Sequence, residues 1–169
     1  AAAGCREIGF GDTTGMAHPA YVFDIFSAAI ERLPGVEITA HFHNTRGQGL
    51  ANAYAALQAG CTSFESSFGE LGGCPVPAGA TGNIATEDLI NMFHEMGVAT
   101  GVSLPAVIDA ARAAQTILGR KLTSHCIVAG PEKPRSITNP SAGCAERGAT
   151  RRLPGKPAER STTAPPRGG

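Results

Sequence analysis

Apolar and polar positions along the first 131 residues follow two different periods. Val36, Ile38, Ala40 and Phe42 alternate with Glu37, Thr39, His41 and His43, which predicts a strand with one apolar and one polar face. Arg6 to Phe10 predicts an earlier strand that runs into the loop Gly11-Asp12-Thr13-Thr14-Gly15. Thr62 to Ser67 predicts a third, with Phe64 alternating against Ser63 and Glu65. Between the strands the period lengthens. Pro19 suits a first helical turn, and Val22, Ile25, Phe26, Ala29, Ile30 and Leu33 follow at helical spacing until Pro34-Gly35 stops them. Leu50, Tyr54, Ala55 and Leu57 outline a second helix that Gly60 closes. After a Gly/Pro-rich loop over residues 69–82, Thr86 is the predicted cap of a third helix. Glu87 and Asp88 stand in its first turn, where the helix dipole favours acids, and Gly97 ends it. Ser103 and Pro105 open a last helix, with Val107, Ile108, Ala111, Ile117 and Leu118 on its buried side and Gly119 at its end.

This alternation predicts an α/β fold with parallel strands and right-handed crossovers. Three strands are too few for a closed (β/α)₈ barrel, which needs about 250 residues and at least about 200. Residues 1–131 are therefore either a small open sheet or a slice of a barrel.

Charge divides the chain. All 169 residues together carry no net charge, which gives no global field toward nucleic acid or a membrane surface. Residues 132–169, however, hold eight Lys/Arg against three Asp/Glu and six of the twelve prolines. Ile137 and Leu153 are their only large aliphatics, too few to offset chain entropy, so residues 132–169 are expected to be a disordered basic tail beside a domain at 1–131. The tail reads as a solvated segment; contact with an anionic partner is the alternative. No apolar run is long enough to span a bilayer, and no basic-then-apolar leader follows Ala1. Five widely spaced cysteines do not make a secreted disulfide framework, so a reducing, cytoplasmic setting is expected.

Candidate chemistry concentrates at strand ends. His41 and His43 lie at i and i+2, so both imidazoles project from one strand face, at the end that carries active sites in parallel α/β folds. Such a pair is a common nitrogen site for a divalent metal, and it reads equally as two half-solvated histidines. Cys74 stands in Leu71-Gly72-Gly73-Cys74-Pro75, where a thiol of lowered pKa can act as acid or base. Asn83 offers an amide oxygen to a hard cation. Either residue alone reads as part of a surface loop. Asp12, after the first strand, can meet a substrate or a metal's outer partners, or it can cap a turn. Glu65 is expected in the polar interior, and Glu87 starts a helix beside Asn83. Cys5, Cys61 and Cys126 are expected in the core, and His18, His94 and His125 at surface or packing positions.

The order of these motifs resembles the C-terminal half of the 3-hydroxy-3-methylglutaryl-CoA lyase family, metal-dependent TIM-barrel lyases. The resemblance runs from about residue 4 to Pro131. It is carried by Gly11 to Gly15, His41-Phe42-His43-Asn44-Thr45-Arg46-Gly47-Gln48, Leu71 to Pro75, Gly79-Ala80-Thr81-Gly82-Asn83 and Ala85-Thr86-Glu87-Asp88. It implies a partial (β/α)₈ barrel in which His41, His43 and Asn83 hold Mg²⁺ or Mn²⁺. It also implies that Cys74 takes part in proton transfer, that Asp12 lies near the substrate and that Glu87 lies near the active site. The implied reaction is retro-Claisen cleavage of a 3-hydroxyacyl-CoA to acetyl-CoA and a keto acid. No membrane or nucleic-acid partner is implied, and the full-length protein is expected to be a homo-oligomer. Asn44 and Val76 depart from a frequent Asp and a frequent aromatic of the family. By the resemblance the chain starts near the sixth barrel strand, and the family's Arg, metal-binding Asp and Glu of the first two strands fall upstream. The chain alone is accordingly expected to be poorly active and prone to aggregate. Two other readings share fewer features. A Claisen-type synthase or carboxyltransferase domain shares the His-x-His pair but not the Leu-Gly-Gly-Cys-Pro loop. A non-catalytic α/β fragment would act through its basic tail.

Overall fold

The structure is a computed structural model, and it describes residues 2–73 and 79–130. In chain order the elements are β1 (Glu7–Asp12), α1 (Pro19–Arg32), β2 (Glu37–Phe42), α2 (Gly49–Gln58), β3 (Ser63–Glu65), a 3-10 turn (Phe68–Glu70), α3 (Thr86–Glu95), α4 (Leu104–Leu118) and α5 (His125–Ala129). The three strands form one parallel sheet in the order β1-β2-β3. Glu7 stands opposite Glu37 and Asp12 opposite Phe42, while His41 stands opposite Glu65.

The period-2 pattern sorts side chains onto two faces. Ile8, Phe10, Ile38, Ala40, Phe42 and Phe64 face the helices and pack with Val22, Phe26, Ala53, Ala56, Leu89 and Phe93. Phe26 sits between Phe10 and Phe42, with ring centroids 5.5 and 6.0 Å away. Each fully buried large apolar side chain stabilises this layer by about 1.5–3 kcal/mol. The opposite face is polar and built in rows. In one row the Thr39 hydroxyl donates to Glu7 Oε1 at 2.7 Å and lies 3.0 Å from Ser63 Oγ. In the next, His41 meets Glu65.

Several expectations need correction. The third strand is shorter than Thr62 to Ser67, because Ser67 leaves β3 and pairs with the returning segment. Its N–H donates to the Ile84 carbonyl (3.2 Å), and its carbonyl accepts from Thr86 N–H (2.9 Å). That pairing fixes Ala85, not Thr86, at the cap position of α3, and the Thr86 hydroxyl pairs instead with Ser66 (2.9 Å). Ile117 and Leu118 are exposed, since the last turn of α4 runs past the small cluster of Ala111, Leu122 and Ile127. Cys5 is exposed, whereas Cys61 and Cys126 are buried as expected. The five-residue α5 is too short to announce itself by periodicity. It is capped by Ser124, whose hydroxyl accepts from Ile127 N–H (3.3 Å). None of the described helices is long and apolar enough to cross a membrane.

Candidate active site at the end of strand β2

His41 projects from the polar face of β2, and its Nδ1 lies 2.9 Å from Oε2 of Glu65, its cross-strand partner. His43 lies one residue past the strand, on the same face, with the two ring centroids 5.1 Å apart. The segment returning from the glycine-rich region then closes beside it. Asn44 N–H donates to the Gly82 carbonyl (3.1 Å), and Ile84 N–H donates to the Phe42 carbonyl (3.0 Å). These bonds bracket an antiparallel bridge between His43 and Asn83. Residues directly opposite in such a bridge share a face, with Cβ atoms about 4.5–5.5 Å apart. Two imidazoles and one carboxamide thus converge at one strand end.

Their state suits ligation. His43 is 6% exposed, and its Nδ1 is buried without a hydrogen-bond partner. Burial, followed by the neighbouring His41, holds the His43 imidazole below its ordinary value, which favours the neutral form that a metal ligand needs. The Asn83 amide nitrogen donates to the Leu71 carbonyl at 3.1 Å, which leaves its oxygen for another partner. Glu65 on His41 Nδ1 fixes the tautomer and presents Nε2. This donor set fits a divalent cation. Among the described residues, no group of three or more His, Cys, Asp or Glu is arranged to hold a metal ion, and the candidate donors here, two imidazoles and an amide oxygen, include no carboxylate.

Asp12 and Glu87 each make hydrogen bonds to backbone amides nearby in the fold. Asp12 alternates onto the helix side, where its carboxylate accepts from Met16 N–H and Ala17 N–H, both at 3.0 Å. It shapes the β1–α1 turn, and only its field reaches His43. Glu87 is fully buried. Its two oxygens accept from Gly69 N–H at 3.2 and 3.1 Å, and burial pushes its carboxyl up. It therefore holds the start of the glycine-rich region. Cys74 and Val76 lie outside the described residues, as does the 132–169 tail.

The glycines at the site have steric reasons. A Cβ on Gly82 would sit 1.5 Å from the Glu70 carbonyl oxygen, and one on Gly69 2.4 Å from Leu122. Glu70 and Asp88 escape sequence reasoning. Glu70 lies at φ 62°, a position no residue-type pattern marks, and accepts from Asn44 and Thr123. Asp88 reads from the sequence as a dipole partner, but it binds Ser124, His125 and Cys126, more than thirty residues away.

A parallel β/α sheet that gathers polar donors at a strand's C-terminal end, beneath a glycine-rich return, defines an α/β enzyme scaffold. The chain belongs to the HMGL-like family, whose model matches residues 1–114. It is 44% identical to the (R)-citramalyl-CoA lyase of Chloroflexus aurantiacus over 135 residues, covering 80% of this chain and 43% of that protein. It is 44% identical to the hydroxymethylglutaryl-CoA lyase YngG of Bacillus subtilis over 122 residues, covering 72% of this chain and 41% of that protein. An HMG-CoA lyase from Acinetobacter baumannii, solved with coenzyme A and 3-methylmalate, superposes with a TM-score of 0.72 at 43% identity. That match covers 76% of this chain and 42% of that one. The chain thus spans about two fifths of the length of these relatives.

Proposed function

We propose that this chain carries the metal-binding end of a divalent-metal-dependent carbon–carbon lyase acting on a 3-hydroxyacyl-CoA, with its three β/α units a slice of a (β/α)₈ barrel. The single observation that carries the reading is the convergence of His41, His43 and Asn83, with His43 Nδ1 buried and unpartnered. The relatives named for hydroxymethylglutaryl-CoA and citramalyl-CoA cleavage supply the substrate class.

His41, His43 and Asn83 are the residues that would hold Mg²⁺ or Mn²⁺. When bound, the ion supplies Lewis acidity toward the hydroxyl and carbonyl oxygens of the substrate. The chain's own residues do the rest. Glu65 orients His41, and burial favours the neutral form of His43. The Leu71 carbonyl accepts from the Asn83 amide nitrogen and leaves its oxygen for a ligand, and Glu87 holds Gly69 at the root of the glycine-rich region. In the retro-Claisen step the 3-hydroxyl loses its proton, the C2–C3 bond breaks to leave a ketone, and the acetyl-CoA carbanion takes up a proton. Cys74 is the residue the resemblance assigns to proton transfer.

Three neutral donors bind a hard cation more weakly than a set containing a carboxylate. The proposal therefore expects measurable but weak Mn²⁺ binding to the full chain, lost in His43→Ala, and lyase turnover that is poor or absent for the chain alone. Mn²⁺ titration by electron paramagnetic resonance tests the site. Coupled detection of acetyl-CoA from hydroxymethylglutaryl-CoA and citramalyl-CoA tests the chemistry. Mn²⁺ binding that His43→Ala leaves unchanged would sink the reading.

A further inference from the structure

Glu70 is the one non-glycine residue at positive φ among the described residues, a conformation with a steric cost for any side chain carrying a Cβ. What it gains there is specific. Its Oε1 accepts from the Asn44 side-chain amide, immediately after His43, and its Oε2 accepts from the Thr123 hydroxyl at 2.7 Å, immediately before the Ser124 cap of α5. Glu70 also follows Gly69, which Glu87 holds, and its carbonyl lies under Gly82. One carboxylate therefore joins the strand end bearing the histidine pair, the start of the glycine-rich region and the segment leading into α5.

We infer that Glu70 is a positioning residue, a three-way tie that sets the root of the glycine-rich region against the His43–Asn44 strand end. The tie also accounts for Asn at position 44. Asn44 Oδ1 already accepts from Gly49 N–H (3.3 Å), so its Nδ2 is the only end that can meet Glu70. An aspartate there would keep the Gly49 contact and set a second carboxylate against Glu70. The inference rests on the lyase reading only for its consequence in turnover.

The chemistry allows the tie to be reversed. In the double variant Asn44→Asp/Glu70→Gln, the amide introduced at position 70 donates to the carboxylate introduced at position 44. Its oxygen accepts from Thr123, so every partner is satisfied. Hydrogen exchange is followed at the amides of Gly69, Leu71, Ile84 and Thr123, together with Mn²⁺ titration of the full chain. Asn44→Asp alone is expected to speed exchange at these amides about tenfold, as loss of one charge-assisted hydrogen bond should. The double variant is expected to return to within about threefold of the parent. Unchanged exchange in Asn44→Asp, or no recovery in the double variant, would overturn the inference. Should Asn44→Asp fail to fold, Glu70→Gly decides. It removes the carboxylate and relieves the backbone, so accelerated exchange supports the tie and parental exchange refutes it. A parent chain that binds no Mn²⁺ yet shows the predicted exchange pattern would refute the metal reading and leave the tie standing.

Discussion

Removing the carboxylate of Asp88 should undock α5. Asp88 is 6% exposed and accepts from four donors: Ser124 hydroxyl at 3.0 Å, Cys126 N–H at 2.8 Å, His125 N–H at 3.0 Å and His125 Nδ1 at 2.9 Å. Hydrogen bonds to a charged group contribute about 1.5–3 kcal/mol each. The imidazole is 80% exposed, so solvent screening leaves it little weight. Two buried bonds and one half-buried bond set the ceiling, but a five-residue helix can yield. Its amides can turn to water at the cost of the burial of Ile127 and Cys126. That escape limits the loss in Asp88→Ala to about 3–5 kcal/mol, a large share of a domain's stability. Asp88→Asn keeps one acceptor and turns a donor toward a donor, so about 1–3 kcal/mol is expected. Urea unfolding of the full chain, with hydrogen exchange at residues 125–129, measures both. A midpoint shift worth less than about 1 kcal/mol for Asp88→Ala would refute the reasoning. The pH dependence has a definite sign. Burial alone would raise the Asp88 carboxyl, but the Cys126 and His125 amides outweigh it and hold it below its ordinary 3.8. Its contribution is present above that value and disappears as pH falls through the depressed one. The bond to Asp88 raises His125 above its ordinary 6.5, so its smaller contribution is full below 6.5 and fades as pH rises through the raised value. Docking of α5 is therefore strongest between these limits, and His125→Ala should remove the alkaline decline alone.

Glu65→Ala should weaken Mn²⁺ binding about 10–100-fold by releasing the His41 ring, and Glu65→Gln should recover part of it; equal affinities in both variants and the parent would show that Glu65 does not orient the ligand. Gly82→Ala should cost at least about 3 kcal/mol in urea unfolding, because its Cβ would meet the Glu70 backbone rather than a yielding side chain. Glu87→Ala should expose the Gly69 amide to rapid hydrogen exchange, whereas Glu87→Gln, which retains an acceptor and matches the neutral form that burial favours, should stay near the parent.

The layers and the imidazole pair were legible because alternation is a local signal. Ile38, Ala40 and Phe42 against Thr39, His41 and His43 sort the strand onto two faces before any partner is known. Helices α1 to α4 were legible for the same reason, down to Pro19 at the start of α1 and Ser103 capping α4, whose hydroxyl accepts from Ala106 N–H at 3.4 Å. What local pattern could not show is where a polar side chain finds its partner. Thr86 carries every mark of a helix cap, yet a bridge between Ser67 and Ala85 takes the cap position from it. Ile117 and Leu118 continue the apolar period of α4 past the point where anything covers them. Glu70 and Asp88 bind residues 26 to 53 positions away, and no spacing rule reaches that far.

Glu87 and Asp88 show how two neighbouring residues divide one task. Adjacent positions on a helix point about 100° apart, so the two acids at the start of α3 cannot serve the same partner. Glu87 turns to Gly69, at the root of the glycine-rich region. Asp88 turns to Ser124, His125 and Cys126, the first turn of α5. The two segments then meet each other: Thr123 N–H donates to the Gly69 carbonyl at 3.3 Å, and the Thr123 hydroxyl donates to Glu70. Leu122 covers Gly69 so closely that no side chain fits there. The root of the glycine-rich region is thus gripped from α3 directly and from α5 through Leu122 and Thr123. The two α3 acids that make the grip are buried, while His41 and His43 project from the polar face of the sheet. The charge in α3 that first reads as complement to a helix dipole fixes the segment that flanks the His41, His43 and Asn83 strand end.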